Sequence, residues 1–180
     1  ANAWKKASEA RAHTRLSALA GDTGLEVDAL DGAPGVYAAR YAGEKATYAD
    51  NCTKLVAAMK DVPAERRGAR FRTVMAIALS QPDLVQLQAE AKRRAEVAAH
   101  LGTTADGLTS EGILNGEIAA RSRGSHGFGY DPVFVDGGSG RTLAEMTPDE
   151  KNATSHRSRA LLEMREMLVR FGLAREKESR

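Results

Sequence analysis

Cysteine is almost absent: Cys52 is the only one in 180 residues. An intrachain disulfide is therefore excluded, and a reducing compartment fits. His13, His100 and His126 stand at no metal-type spacing from Cys52 or from one another, so no zinc site is predicted. No apolar run reaches the length of a membrane-spanning helix, and no leader pattern opens the chain. No membrane role is expected, and the cytoplasm is the expected location. Neither charge dominates: 26 basic side chains face 24 acidic ones, for a net charge of +2. That balance predicts no nucleic-acid partner from its field. Internal repeats, a phosphate-cradling P-loop, a dinucleotide fingerprint and a Ser-His-Asp arrangement are all missing.

Hydrophobic residues make up 42% and charged residues 28%, the proportions of a folded single domain. Residues 2–15 are rich in Ala, Lys and Arg and read as a helix. Leu16 to Ala20 reads as a buried strand entering a tight turn at Gly21-Asp-Thr-Gly24. Leu25, Val27 and Ala29 alternate with Glu26 and Asp28, the mark of a strand with one wet face. Asp31 to Gly35 breaks the chain. Tyr48, Cys52, Leu55, Val56 and Met59 fall on one helical stripe. Phe71 to Leu79 is Val-, Ile- and Met-rich and predicts a central strand. Asp83 to Leu101 predicts a second helix, Gly112 to Ala119 and Pro132 to Val135 further strands. Thr147-Pro-Asp-Glu150 is a helix start in which Thr caps, Pro takes the first turn and Glu150 completes a capping box. From there helical spacing continues through Leu161, Met164, Leu168 and Phe171, and 174–180 is charged and expected to fray. The mix predicts an α/β or α+β domain with a mixed sheet.

Three places carry residues suited to chemistry. Asp22 in its Gly-Asp-Thr-Gly setting suits a metal ion or an attacking water, though an Asx-turn uses the same residues. Phe128, Gly129, Tyr130 and Asp131 follow Gly127 in a glycine-rich stretch. A ligand approaches such backbone closely and stacks on an exposed Phe; a Phe tucked into the core reads equally well. Lys151, Ser155, His156 and Arg157 lie within two helical turns, with donors for phosphate or carbonyl oxygens.

Three long stretches in order carry a resemblance: Gly21 to Gly43, Gly127-Phe-Gly-Tyr-Asp-Pro-Val-Phe134, and Met146-Thr-Pro-Asp-Glu-Lys-Asn-Ala-Thr-Ser-His-Arg157. They are similar to the signatures of the inosine/xanthosine triphosphate pyrophosphatase family, and the resemblance covers nearly the whole chain apart from Gln81 to about Leu108. It implies an α/β single domain over residues 1–180, with a mixed twisted central sheet flanked by helices and a long active-site cleft. It further implies Mg²⁺-dependent hydrolysis of ITP, dITP and XTP to the monophosphate and pyrophosphate, by a homodimer. Matched residue by residue, Asp22 is the metal ligand and the base for the attacking water. Lys6, in Asn2-Ala-Trp-Lys-Lys-Ala7, binds phosphate, and Thr23 contacts substrate. Phe128, Gly129, Tyr130 and Asp131 form the base-contacting turn, and Lys151, His156 and Arg157 supply the remaining substrate contacts.

The chain departs from that family in three respects. It begins inside a helical element without an initiator Met, and the family's opening strand and phosphate-binding loop do not appear, so the domain is expected to be N-terminally incomplete. Gly21 stands where the family usually carries an acid. The connection at about 81–108 is longer than the family's and reads as an inserted, solvated helical segment or a dimer contact. The first two departures motivate an alternative, a non-catalytic nucleotide-binding or assembly module.

Overall fold

The computed structural model describes residues 2–93, 103–104 and 106–175. Its helices are α1 (Asn2–Thr14), α2 (Tyr48–Ala58), α3 (Gln81–Arg93), α4 (Pro148–Thr154) and α5 (His156–Arg170). Its strands are β1 (Ala18–Val27), β2 (Pro34–Gly35), β3 (Gly68–Ala78), β4 (Thr103–Thr104), β5 (Gly107–Ile118) and β6 (Phe134–Asp136). They form one six-stranded sheet in the order β2-β1-β3-β5-β4, with β6 paired to β5. Register is antiparallel where Leu25 faces Gly35, Thr103 faces Leu108 and Glu117 faces Val135. Strands and helices thus combine in the expected α/β fold.

The described chain divides into two compact units. The first draws on Ala1–Asp22, Thr73–Gly112 and Arg159–Arg180, the second on Thr23–Arg72 and Ile113–Ser158. In the first, Ala3 and Ala7 of α1 are buried with Ala76 and Ala78 of β3, and Trp4 packs against them. Alanines four apart give the helix a smooth face on which its backbone approaches the strand closely. A second cluster in the same unit joins Met75, Leu84, Leu87, Leu108, Met164, Met167 and Phe171. In the second unit, Leu25, Val27, Leu55, Met59, Phe71, Leu114, Ile118, Phe134 and Leu143 close one core.

Several expectations need correction. Gly21-Asp-Thr-Gly24 is no turn: β1 runs unbroken through it, because Gly24 lets the backbone of Gly35 approach to 2.9 Å from where a Cβ would sit. Leu16 and Leu19 are exposed rather than buried. Tyr48 leaves the apolar stripe of its helix and is exposed, while Cys52, Leu55 and Met59 are buried as expected. In the connection at about 81–108, Leu84 and Leu87 of α3 belong to a core cluster. Residues 94–102 and 105, which hold the rest of the helix expected to reach Leu101, lie outside the described residues, as do 176–180 of the expected frayed end. The helix expected to run on from Thr147 is two helices, broken at Ser155 in extended conformation (φ −65°, ψ 150°).

One close approach sets the β5–β6 register. A Cβ on Gly116 would lie 2.1 Å from the Val135 carbonyl oxygen and 2.8 Å from the Phe134 ring. Neither a backbone carbonyl nor a buried ring yields easily. Gly116→Ala is expected to lower stability by about 1–3 kcal/mol; an unchanged urea midpoint would contradict this reading of the β5–β6 contact.

Candidate active site

In the first unit the chemistry gathers on Asp22 of β1. Asn2 and Lys6 are four residues apart on α1 and so share a face. Lys6 Nζ donates to Asp22 Oδ1 at 2.7 Å and to the Gly21 carbonyl at 3.3 Å; Asn2 Nδ2 donates to Asp22 Oδ2 at 3.1 Å. Both carboxylate oxygens are held, and the pair is open to water, Lys6 being about half exposed. Such a pair contributes little to stability and serves to orient the acid. Asn2 is a partner to which the sequence pattern assigns no role. Gly21 leaves room filled by Met75, whose Sδ would lie 2.7 Å from a Cβ there.

The second unit builds a cavity of about 200 Å³ lined by Thr23, Gly24, Ala38, Ala39, Tyr48, Phe71, Phe128, Gly129, Tyr130, Asp131, His156 and Arg157. Its frame is the turn before β6. Asp131 is buried, and its Oδ2 accepts from the Phe128 backbone N–H at 2.7 Å and forms an ion pair with Lys151. Gly127, at φ 81°, has no space for a side chain, since a Cβ would meet Asp131 Oδ2 at 2.0 Å. Gly129 takes φ 64°, a conformation that costs other residues more than glycine. Tyr130 is buried and its hydroxyl donates to the Ala38 carbonyl at 2.8 Å; burial pushes its phenol well above the usual range. Beneath the turn, the Cys52 thiol donates to the Gly129 carbonyl at 3.2 Å. Burial first, then the nearby Asp131 carboxylate, push that thiol up to about 11.

Phe128 stays half exposed, with Lys151 Nζ 4.7 Å and Arg157 Cζ 5.0 Å from its ring centroid and the Tyr48 ring at 6.3 Å. Cations over an aromatic face are held by the ring quadrupole. His156 is buried and stacks on Phe71, centroids 4.7 Å apart and planes 18° from parallel. It sits where it does because Ser155 ends α4 and caps α5, its Oγ accepting from the Ser158 backbone N–H at 3.1 Å. Burial lowers the Arg157 pKa, against the opposing pull of Asp131 and Tyr48. Desolvated charge of this kind is better compensated by an electron-rich ligand edge than by nothing. Lys151 is aimed by its helix start: Thr147 and Glu150 form the expected capping box, and Arg141 grips Glu150 at 2.7 Å.

The expected residues therefore fall into two groups. Thr23, Phe128, Gly129, Tyr130, Asp131, His156 and Arg157 line one cavity, with Lys151 supporting it. Asp22 and Lys6 meet in the other unit. Asp131 and Tyr130 hold the turn, since their polar groups are bonded within the protein. Sequence reasoning misses Tyr48, Phe71 and the Ala38 carbonyl as parts of this site. Tyr48 alone carries a signal, its place as first helical residue after the cap Thr47.

Among the described residues no three His, Cys, Asp or Glu side chains converge to hold an ion. Asp22 offers a partly exposed carboxylate, a donor that suits a hard divalent cation taking its other oxygens from water and ligand phosphates.

Residues 1–167 match the model of the Ham1 family. The chain belongs to the Ham1 family. It is 45% identical over 159 residues to a protein of Methylococcus capsulatus named dITP/XTP pyrophosphatase, covering 88% of this chain and 69% of that one. It is 45% identical over 172 residues to a protein of the same name from Xanthomonas oryzae pv. oryzae, covering 96% and 76%. A HAM1 protein structure from Coxiella burnetii superposes with a TM-score of 0.76 at 38% identity, over 93% of this chain and 75% of that one. A nucleoside-triphosphatase, dITP/XTP pyrophosphatase structure from Mycobacterium abscessus does so with a TM-score of 0.69 at 41% identity, over 93% and 74%.

For this Ham1-family chain two titrations test the supports of the cavity. The Arg141 hydrogen bond, then the backbone and hydroxyl of Thr147, lower the Glu150 carboxyl to about 2. Its folded value lies below the usual one, so the stabilisation is present above about pH 4.5 and is lost as pH falls toward 2. Carboxyl NMR should give a midpoint near 2, moving toward 4.5 in Arg141→Ala; no movement would remove Arg141 as the cause. For Cys52 the raised value means stability complete below about pH 9 and lost as pH rises toward 11. Alkylation of the folded protein should follow a midpoint near 11, and a midpoint at 9 or below would contradict the burial of this thiol under Gly129.

Proposed function

We propose that this chain hydrolyses non-standard purine nucleoside triphosphates (ITP, dITP and XTP) to the nucleoside monophosphate and pyrophosphate. The observation that carries this reading is the cavity in which Phe128, Tyr48, His156 and Arg157 meet, in a chain whose relatives are named dITP/XTP pyrophosphatases. A purine stacks on Phe128, and the donors of His156 and Arg157 meet the base edge. A 6-keto oxygen accepts from such donors, whereas the amino group of adenine does not, a difference large enough to discriminate. Tyr130 and Asp131 fix the turn, and Lys151 neutralises Asp131 while standing over the Phe128 ring.

Asp22 is the base. It takes a proton from the attacking water, whose oxygen bonds to the α-phosphorus as the bond to the bridging oxygen breaks and pyrophosphate leaves. Lys6 holds Asp22 and offers its charge to the phosphates, and Thr23 contacts the substrate. Asp22 would hold a Mg²⁺ ion, which would supply charge neutralisation for the leaving pyrophosphate. The same reading makes the protein a cytoplasmic homodimer; no helix among the described residues is long and apolar enough to cross a membrane. The alternative of a non-catalytic module is not favoured, because relatives that match over most of the chain are named dITP/XTP pyrophosphatases.

Pyrophosphate release with Mg²⁺ tests this. Turnover of ITP and XTP should exceed that of ATP by about 100-fold or more in kcat/KM. Asp22→Asn should lower kcat by about 10³-fold, and Phe128→Ala should act mainly on KM. Equal rates on ITP, XTP, ATP and GTP, or undiminished turnover by Asp22→Asn, would overturn it.

A further inference from the structure

The second unit holds another cavity, of about 510 Å³, lined by Thr53, Val56, Ala57, Lys60, Arg67, Ala120, Arg121 and Ser122. It shares no lining residue with the cavity of Phe128. Three of its lining side chains are cationic and none is acidic. Arg67 is buried at 9% exposure, yet its partners are all neutral. Its Nε donates to the Ile118 carbonyl at 2.6 Å, its Nη1 to Met59 at 2.7 Å and Val62 at 3.1 Å, and its Nη2 to Ala119 at 3.0 Å. Four of the five guanidinium N–H groups are thus used, and one on Nη2 remains. Carbonyl dipoles satisfy hydrogen bonds but leave the net charge uncompensated, and a buried charge calls for a counter-charge. Lys60 and Arg121 are exposed and have no ion-pair partner among the described residues.

We infer that this cavity is a binding site for a phosphate group, free or carried by a small molecule. Arg67 is fixed by four carbonyls, so its remaining N–H is pre-organised, and Lys60 and Arg121 bring mobile positive charge to the rim. Guanidinium and ammonium groups together match the charge and acceptor geometry of a phosphate dianion. The Thr53 and Ser122 hydroxyls add donors. The volume exceeds what one phosphate fills, and Val56, Ala57 and Ala120 offer an apolar wall to whatever the phosphate carries. Occupancy would also tie α2 to the chain after β5, because Arg67 already bridges Met59 and Val62 to Ile118 and Ala119.

The test is an amide NMR titration of the protein with inorganic phosphate and, separately, ribose 5-phosphate, at ionic strength held constant with NaCl. Saturable shifts are expected at Ala120, Arg121 and Ser122 and along Thr53 to Lys60. Tighter binding of ribose 5-phosphate would identify a carried phosphate, and equal binding a free one; either supports the site. Affinity should fall about tenfold or more in the double variant Lys60→Gln, Arg121→Gln, with Lys60→Gln alone as the readout should the double variant fail to fold. Linear shifts, shifts confined to the surroundings of Asp22 or Phe128, or affinity unchanged in the variant would each overturn the proposal. Because the readout is binding at named amides, it stands apart from the hydrolysis assay.

Discussion

The candidate base cavity depends on one buried charge. Asp131 lies in a glycine-rich turn with its side chain almost wholly out of water, and a carboxylate in that position is costly unless it is paired and hydrogen-bonded. Lys151 supplies the charge and the Phe128 backbone the hydrogen bond. The consequences spread from there. Gly127 must lack a side chain because Asp131 occupies its space. Phe128 is presented outward because its backbone is held inward. Lys151 is delivered by a helix whose start is built twice over, by the Thr147–Glu150 box and by Arg141 on Glu150. The stretch from Ser125 to His126 is fastened in turn by two backbone bonds to the Ala144 carbonyl.

A paired carboxylate recurs at Asp22, with the opposite balance. There the carboxylate is partly exposed and its partners are exposed as well. An acid that is to exchange a proton with water and take a metal ion gains from being oriented without being sealed off. Asp131 is sealed and Asp22 is open, and on the proposed function the open one is the base. Arg67 is a third case: a sealed cation given carbonyls instead of a carboxylate, which leaves its charge for something else.

Many of these elements are legible in the amino-acid sequence. The Ala-rich first helix, the β3 segment, the helix of Cys52, Leu55 and Met59 and the capping box at Thr147 all follow from spacing and end chemistry, because those signals are local. The turn around Phe128 is legible as a site only because glycines and an aromatic coincide there. The errors fall where a distant contact decides. Gly21-Asp-Thr-Gly24 has the composition of a turn, yet it is strand, since the backbone of Gly35 lies against Gly24. Ser155 reads as one more helical residue, yet its hydroxyl ends one helix and caps the next. Tyr48 has core spacing, yet it faces outward toward Phe128.

The sequence by itself determined the α/β character, the family and which acid, aromatic and basic residues are the candidates for the chemistry, because periodicity, capping and motif order are written in neighbouring positions. Only the tertiary structure decided which partner and which exposure each charge has. Asp131 and Asp22 are the same residue type, and their neighbours along the chain do not say which of them is buried. Lys151 comes from 20 residues away to bury one, and Asn2 and Lys6 come from 20 and 16 away to hold the other open. Partners that far along the chain meet only after folding, and only then is the surrounding dielectric dry for one pair and wet for the other.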